Sequence, residues 1–146
     1  MRFKKLLVGI DFSPPSREAL HTAIAMAADS GAELVLAHVW QPHAHTYGGP
    51  TFPISFTEDF VREGEQILAA WQREAEDAGA KRVSAVVLTG VPWHEMIELL
   101  RTDQTFDLVV LGTHGHTGLK HVLLGSVAEK VVRHASCPVL VVRVRD

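Results

Sequence analysis

Short apolar runs alternate along the chain with longer amphipathic segments. The runs are rich in β-branched side chains, as buried strands are, and they occupy residues 6–10, 33–40, 83–88, 107–111 and 138–144. Between them, apolar residues recur at helical spacing in the segments 15–30, 57–78, 92–101 and 126–135. Almost continuously apolar strands joined by helical crossovers are typical of a parallel sheet covered on both faces. The pattern therefore predicts an open, doubly wound α/β fold.

Each helical segment has one apolar face, and two of them have recognisable ends. Ser13 can cap the first helix and Gly31 can end it. Thr57 can likewise cap the second and longest helix, and Gly79 can end it. We expect the apolar faces of the four helices to be buried. Their residues are Ala19, Leu20, Ala23, Ile24, Ala27, Phe60, Ile67, Leu68, Trp71, Ala75, Met96, Ile97, Leu100, Val127, Val131 and Val132.

Composition and charge narrow the class of protein. The 146 residues are 47% hydrophobic and 21% charged, the balance of one globular domain spanning residues 1–146. The formal net charge of −3 gives no general attraction to nucleic acid. No apolar run approaches the roughly twenty residues that cross a membrane, and no signal-peptide cleavage site follows the first run. Together with a single cysteine, Cys137, these features predict a cytoplasmic protein.

Residues 41–56 depart from the regular alternation. They hold three prolines and a Gly-Gly pair between the second strand and the second helix. Long loops within compact domains are commonly functional or mobile. Because this loop follows a strand, we expect it at the carboxyl edge of the sheet, where open α/β sheets bind their ligands.

A second unusual stretch, GTHGHTGLKHVLLGS at residues 112–126, follows the fourth strand and runs into the last helix. Its glycines at 112, 115, 118 and 125 permit positive φ angles and leave the backbone open to a ligand. Exposed N–H groups together with the amino end of the next helix favour an anion, and Ser126 at the cap position adds a hydroxyl donor. The stretch lacks the lysine of a Walker loop. It therefore predicts a phosphate site of another kind.

Asp11 stands at the carboxyl end of the first strand, in the sequence Gly-Ile-Asp-Phe-Ser. A carboxylate in this place can accept hydrogen bonds from ribose hydroxyls or from an adenine amine. It can also cap the first helix. The residues alone leave both interpretations open.

The spacing Gly112-x2-Gly115-x9-Gly125-Ser126 resembles the nucleotide motif of the universal stress protein family. The resemblance extends over nearly the whole chain. It includes the opening KKLLVGIDFSPPSREAL, the block DLVVLGTHG from residue 107, the stretch GSVAEKVV from residue 125 and the closing HASCPVLVV from residue 134. Because these four blocks occur in the family's order, together they are more specific evidence of similarity than any single block would be.

This resemblance implies a Rossmann-like, three-layer sandwich with five parallel strands in the order 3-2-1-4-5. It also implies a homodimer that pairs through the last strand, in agreement with the exposed apolar edge that residues 139–144 would otherwise form. The loop motif is similar to that of the ATP-binding branch, with Mg²⁺ arriving with the nucleotide. Carried over by position, the nucleotide-binding residues are Asp11, Val39 through its backbone, Gly112, His114, Gly115, Gly125, Ser126 and Val127.

The side chains give little sign of catalysis. No paired carboxylates and no Ser-His-Asp arrangement stand out in the sequence, so we assign no catalytic residue. The resemblance then implies a nucleotide-dependent regulator or adaptor of the stress response, acting on an unknown protein partner. A slow ATPase or phosphotransferase, or a nucleotide-free interaction module, remain the alternatives.

Histidines in the two unusual stretches suggest other chemistry. Zinc or copper could bind between the two stretches, which hold His43 and His45 in the first and His114, His116 and His121 in the second. The spacing of these histidines fixes no coordination geometry, so we assign no metal site. The string Gly-Thr-His-Gly-His also resembles the HxGH signature of nucleotidyl transferases. That signature belongs after a first strand, whereas this string follows the fourth, which disfavours adenylyl transfer.

Overall fold

The computed structural model describes residues 2–42, 54–114 and 124–144, with the backbone alone at residues 54–56 and 114. Strands and helices alternate along this part of the chain, as the apolar pattern predicts. In chain order they are β1 (Lys5–Gly9), α1 (Pro14–Ser30), β2 (Glu33–Trp40), α2 (Ile54–Asp77), β3 (Arg82–Thr89), α3 (Pro92–Thr102), β4 (Leu108–His114), α4 (Ser126–His134) and β5 (Val139–Val144).

The strands form one sheet in the order β3-β2-β1-β4-β5, and each neighbouring pair is parallel. β1 lies in the centre, where Leu7 is in register with Val35 of β2 and with Val109 of β4. This order confirms the doubly wound, Rossmann-like three-layer sandwich. It also places the reversal of strand order between β1 and β4, which is where an open α/β sheet forms a crevice at its carboxyl edge.

Two apolar clusters lie on opposite faces of the sheet. On one face, Leu6 and Val8 of β1 pack with buried side chains of α1 and α2. On the other face, Leu7 packs with buried residues of α3 and α4, including Met96 and Val131. Successive side chains of β1 enter different clusters because side chains alternate between the faces of a strand. Burial on both faces explains why the strands are almost continuously apolar.

The ends of α1 match the sequence prediction. The Ser13 hydroxyl accepts a hydrogen bond from the Ser16 N–H at 3.3 Å. Gly31 ends the helix in the left-handed region, with φ of 75°. The expected apolar face is buried at each of its positions: Ala19, Leu20, Ala23, Ile24 and Ala27.

Helix α2 begins earlier than the sequence indicates. It starts at Ile54, so Thr57 lies inside the helix and the prediction that it caps the helix is wrong. Residues 54–56, predicted as the end of a long loop, are likewise helical, whereas residues 43–53 of that loop lie outside the described part of the chain.

Three side chains predicted to be buried are exposed instead. Phe60 and Ile67 of α2 are 40% and 39% exposed, and Val132 of α4 is 46% exposed. Leu68 and Trp71, on the same helix as the first two, are buried as expected. In the described part of the chain β3 is an edge strand, and α2 packs there with only part of its surface buried, although the Phe60 ring stacks on Trp40 with 5.4 Å between the ring centroids. Within residues 2–42, 54–114 and 124–144, no helix combines the length and apolar character needed to cross a membrane.

Candidate functional site

A pocket of about 170 Å³ opens at the carboxyl edge of the sheet, by the ends of β1 and β4. It occupies the crevice at which the strand order reverses, the usual ligand site of an open α/β sheet. Asp11 and Ser16 contribute polar groups to it. Apolar side chains from β2, α3 and β4 form much of its wall: Ala37, Val39, Met96 and Leu111.

Asp11 borders this pocket directly after β1. Its Oδ1 accepts a hydrogen bond from the Ser13 N–H at 3.0 Å and another from the Ser13 hydroxyl. Partial burial, the largest single influence, raises the pKa of the Asp11 carboxyl, but several hydrogen bonds, led by those from Ser13, together outweigh burial, and the pKa lies below its ordinary value of 3.8. The carboxylate therefore stays ionised at neutral pH. It supports the cap of α1 and faces a pocket as well, so the two interpretations of Asp11 are compatible.

The residue after Asp11 has an unusual backbone conformation. Phe12 has φ of 63°, and in the described part of the chain no other residue except glycine has a positive φ. For a side chain with a Cβ this conformation costs about 1–2 kcal/mol. The Phe12 ring packs on His38, with 4.3 Å between ring centroids, and meets the Trp71 ring edge-on at 5.4 Å. These contacts hold the chain segment that carries Asp11.

The backbone of Val39 faces the position where β1 has ended. β2 pairs with β1 as far as Ala37, whose carbonyl accepts the Ile10 N–H at 2.8 Å. Alternate residues of a strand direct their backbone groups to the same side, so the Val39 N–H and C=O point the same way as those of Ala37. In a continued ladder the Ile10 carbonyl would accept the Val39 N–H. His38 Nδ1 lies 2.7 Å from that carbonyl instead, and among the described residues no hydrogen bond joins it to Val39.

Gly112 lies inside β4, which continues to His114 in register with β5. The prediction that the loop begins at residue 112 is therefore wrong, and Gly112 does not have a positive φ. A Cβ atom at this position would lie 1.9 Å from the Pro15 carbonyl oxygen. Gly112 is thus needed for the close packing of α1 on β4, and it also borders the pocket.

The amino end of α4 also differs from its prediction. Gly125 is the N-cap, with φ of −64°, and Ser126 is the first helical residue, with no side-chain capping bond. Gly125 tolerates the cap position because its extended backbone lets its carbonyl accept the Glu129 N–H at 2.9 Å. The Gly125 N–H itself donates to the buried Thr113 Oγ1 at 3.1 Å. This bond fixes the start of α4 beside β4, where Val127 lines the pocket.

Part of the predicted site lies outside the described residues. This holds for Gly115, for the side chain of His114, and for the remaining histidines at positions 43, 45, 116 and 121. The backbone of His114 forms the last residue of β4. Within the described ranges, no three His, Cys, Asp or Glu side chains are grouped so that they could hold a metal ion.

Comparison with known proteins identifies the family. The model of the universal stress protein family matches residues 2–143. Universal stress protein MJ0531 of Methanocaldococcus jannaschii is 36% identical over 97% of this chain and 82% of its own length. Universal stress protein YxiE of Bacillus subtilis is 34% identical over 97% of this chain and 99% of its own length. The chain belongs to the universal stress protein family.

Solved universal stress proteins share its architecture. UspA from Lactobacillus plantarum, at 23% identity, superposes with a TM-score of 0.81 over 98% of this chain and 99% of its own, which is a likeness of fold. A universal stress protein solved in complex with cAMP is 28% identical and has a TM-score of 0.67 over 99% of this chain and 100% of its own. The family resemblance seen in the sequence is therefore confirmed by both family and fold.

Sequence reasoning missed several residues of this universal stress protein's pocket. Gly9 lines it, and a Cβ there would lie 2.6 Å from Leu111 Cδ2, a close approach that a glycine within an apolar strand can signal. Met96 lines it although its helical position indicated only a core role. His38 and Phe12 do not line the pocket, but their contacts support the chain segment that carries Asp11. A histidine inside an otherwise apolar strand was the available signal, because a polar group placed there needs a hydrogen-bond partner.

Proposed function

We propose that this protein binds ATP in the pocket between β1 and β4 and acts as a nucleotide-dependent regulator or adaptor of the stress response. One observation carries the proposal: Asp11, Val39 and, from the first turn of α4, Val127 border the same pocket. A nucleoside triphosphate needs an apolar slot for its base, acceptors for its ribose and donors for its phosphates. The complex of a similar universal stress protein with cAMP supports an adenine nucleotide as the ligand class.

The base fits the apolar part of the pocket. Val39 and Met96 supply apolar surface there. The Val39 N–H and C=O offer one donor and one acceptor side by side, which complement the ring nitrogen and the amine at one edge of adenine. Guanine presents a carbonyl oxygen where adenine has its amine, so this edge favours ATP over GTP.

The ribose and phosphates fit the polar side. An ionised Asp11 accepts charge-assisted hydrogen bonds from ribose hydroxyls. The amino end of α4, at Ser126 and Val127, presents N–H groups that have no partners within the helix and a dipole that favours anions. His114 and Gly115, with Gly112 next to them, would complete the phosphate side, and a Mg²⁺ ion bound with the triphosphate would neutralise part of its charge.

A regulatory role follows from the groups around the pocket. Among the described residues that line it, Asp11 is the one ionisable side chain. Hydrolysis or phosphoryl transfer relies on positioned bases and cations, so these residues favour binding over turnover. The nucleotide would favour one arrangement of the segments around the pocket, and an unidentified protein partner would bind that arrangement.

The proposal includes a cytoplasmic homodimer paired through β5. The Val109 N–H donates to the Pro138 carbonyl at 3.0 Å, so even-numbered residues of β5 face β4. Val139 and Val141 therefore direct their backbone groups to the outer edge of the sheet. An open apolar edge of this kind pairs readily with another strand, and a second copy of β5 would satisfy it with two-fold symmetry.

Thermal unfolding with ATP, GTP and AMP tests the nucleotide. ATP well above its dissociation constant should raise the melting temperature, because a ligand that binds only the folded state stabilises it, and GTP should raise it less. No rise with millimolar ATP would sink the proposal. Identification of any nucleotide retained during purification gives an independent answer. Single-turnover hydrolysis at about 1 s⁻¹ or faster would favour an enzyme instead.

A further inference from the structure

The imidazole of His38 contacts the residues on both sides of Asp11. Its Nδ1 lies 2.7 Å from the Ile10 carbonyl oxygen, and Nδ1 must donate because a carbonyl can only accept. The same ring packs on Phe12, with 4.3 Å between the ring centroids. One side chain therefore fixes the backbone immediately before and immediately after the carboxylate.

His38 does so from the face of the sheet opposite the pocket. Its neighbours Ala37 and Val39 line the pocket, and side chains alternate between the two faces of a strand. On its own face, α2 packs against the ring: a Cβ atom on Gly64 would lie 3.4 Å from His38 Cδ2. Any influence of His38 on a ligand must therefore pass through the backbone that it holds.

The backbone at Phe12 depends on such support. A φ of 63° is unfavourable for a residue with a Cβ and persists where the surroundings impose it. The ring is held between His38 and Trp71, whose centroid lies 5.4 Å away. If Phe12 relaxed to a negative φ, the Ser13 N–H, which now donates to Asp11 at 3.0 Å, would turn away. The orientation of the Asp11 carboxylate is thus linked to the His38 ring.

The hydrogen bond to Ile10 has a second consequence. The Ile10 carbonyl is the acceptor that the Val39 N–H would use if the ladder between β1 and β2 continued. His38 Nδ1 bonds to this carbonyl at 2.7 Å. The ladder ends at this point, and among the described residues the Val39 N–H has no hydrogen-bond partner beside the pocket that Val39 lines.

We propose that His38 is a positioning residue for the ligand site: it orients Asp11 through Ile10 and Phe12, and through its bond to the Ile10 carbonyl it keeps the Val39 N–H available to a ligand. The identity of the ligand, ATP, rests on the proposed function. The positioning itself is a property of the unliganded protein and can be measured without nucleotide.

Two variants distinguish the effect of the His38 ring from the effect of its Nδ1 donor. His38→Phe keeps an aromatic ring beside Phe12 and removes the Nδ1 donor, whereas His38→Asn places an amide N–H near the position of Nδ1. NMR of the protein without nucleotide gives two observables, the pKa of the Asp11 carboxyl and the exchange rate of the Val39 amide. In His38→Phe, we expect the pKa to rise toward 3.8 or the amide to exchange at least about tenfold more slowly, as it pairs with Ile10. His38→Asn should match the wild type in both.

The outcomes decide the proposal in either direction. A change in either observable in His38→Phe that His38→Asn does not show supports it. Two unchanged observables in His38→Phe overturn it, and so does a His38→Asn protein that behaves like His38→Phe. If His38→Phe does not fold, Phe12→Leu removes the ring contact and keeps apolar bulk, and the same rise in the Asp11 pKa is expected or the proposal fails.

Binding measurements add the functional consequence. His38→Phe should weaken ATP binding about tenfold, the loss of one good hydrogen bond, and His38→Asn should stay within about twofold of the wild type. Val83→Ala is the matched control, because Val83 packs on the same core cluster but lies at the opposite end of the sheet. It should reduce stability and leave affinity unchanged. If the wild-type protein binds no ATP, the proposed function fails, while the NMR observables still decide the part of His38.

Discussion

A Cβ atom on Gly112 would lie 1.9 Å from the carbonyl oxygen of Pro15, so β4 and the first turn of α1 meet backbone to backbone. The contact joins β4, in the wall of the pocket, to the helix that begins shortly after Asp11. It fixes how closely α1 packs on β4 beside the pocket. Backbone atoms cannot move aside as the end of a side chain can, so this position accepts no larger residue.

Replacing Gly112 should therefore damage the fold itself. We expect Gly112→Ala to lower the free energy of unfolding by about 1–3 kcal/mol or more, as overpacking of a core does, measured by urea unfolding. Gly125→Ala is the matched control from the same motif, because a Cβ there would lie 3.5 Å from Thr113 Oγ1, an ordinary contact. It should cost under about 1 kcal/mol, the usual loss when alanine takes a capping position. Equal losses in the two variants would contradict the steric role of Gly112.

The hydroxyl of Thr113 should stabilise the start of α4. Thr113→Val keeps the shape of the buried side chain but leaves the Gly125 N–H, now bonded at 3.1 Å, without its acceptor. We expect a loss of about 1–3 kcal/mol in the free energy of unfolding and weaker ATP binding, because the phosphate side loses its anchor. Thr113→Ser retains the hydroxyl and should keep most of the affinity. A Thr113→Val protein with wild-type ATP affinity would show that the bond between Thr113 and Gly125 does not support ATP binding.

Asp11 allows capping and binding to be separated. Asp11→Asn keeps a side-chain oxygen that can accept from Ser13, so the melting temperature should change little. It removes the charge, and ATP should bind about tenfold more weakly, the difference between a charged and a neutral hydrogen bond. Asp11→Ala should lose stability as well as affinity. Calorimetric titration and thermal unfolding of both variants make the comparison, and an Asp11→Asn protein that binds ATP normally would assign Asp11 to capping alone.

The sequence predicts the local features of this molecule well and its close approaches poorly. Ser13 and Gly31 end α1 as predicted, because a cap depends on groups only a few residues apart. The glycine spacing predicts Gly112 in the loop and not in β4, since its partner Pro15 is close in space but distant in the chain. The same reason hid His38, whose hydrogen bond spans from β2 to the end of β1. Contacts between elements that are adjacent only in the folded sheet leave no local pattern in the sequence.

The β5 edge makes the homodimer testable with one substitution. The Val141 backbone faces away from β4, so Val141→Pro removes an outward N–H and leaves the ladder with β4 intact. We expect the variant to fold and to sediment as a monomer at concentrations where the wild type is a dimer. Val142→Pro is the contrasting variant: it removes an N–H directed at β4 and should destabilise the fold. If Val141→Pro remains dimeric, the dimer does not form through this edge.

The pair between Lys5 and Asp103 at the amino end of the sheet should make stability depend on acid pH. Lys5 Nζ lies 2.7 Å from Asp103 Oδ2, and hydrogen bonds from Lys5 and Thr105 lower the pKa of Asp103 from 3.8 to about 2. Because the pKa is lower in the folded state, the stabilisation is complete above about pH 3.8 and is lost as the pH falls through about 2.

Urea unfolding of the wild type and of Asp103→Asn across this range measures the effect. Both side chains of the pair are partly exposed, so solvent screening limits the expected difference near neutral pH to under about 1 kcal/mol. The difference should shrink toward zero as the pH falls below about 2, where Asp103 is protonated in the folded protein as well. Asp59→Asn is the control, because Asp59 pairs with Arg62 at 3.7 Å on an open helix surface, where an ion pair contributes little to stability. A difference for Asp103→Asn that persists unchanged at the acid limit would mean that packing, and not the charge, is its cause.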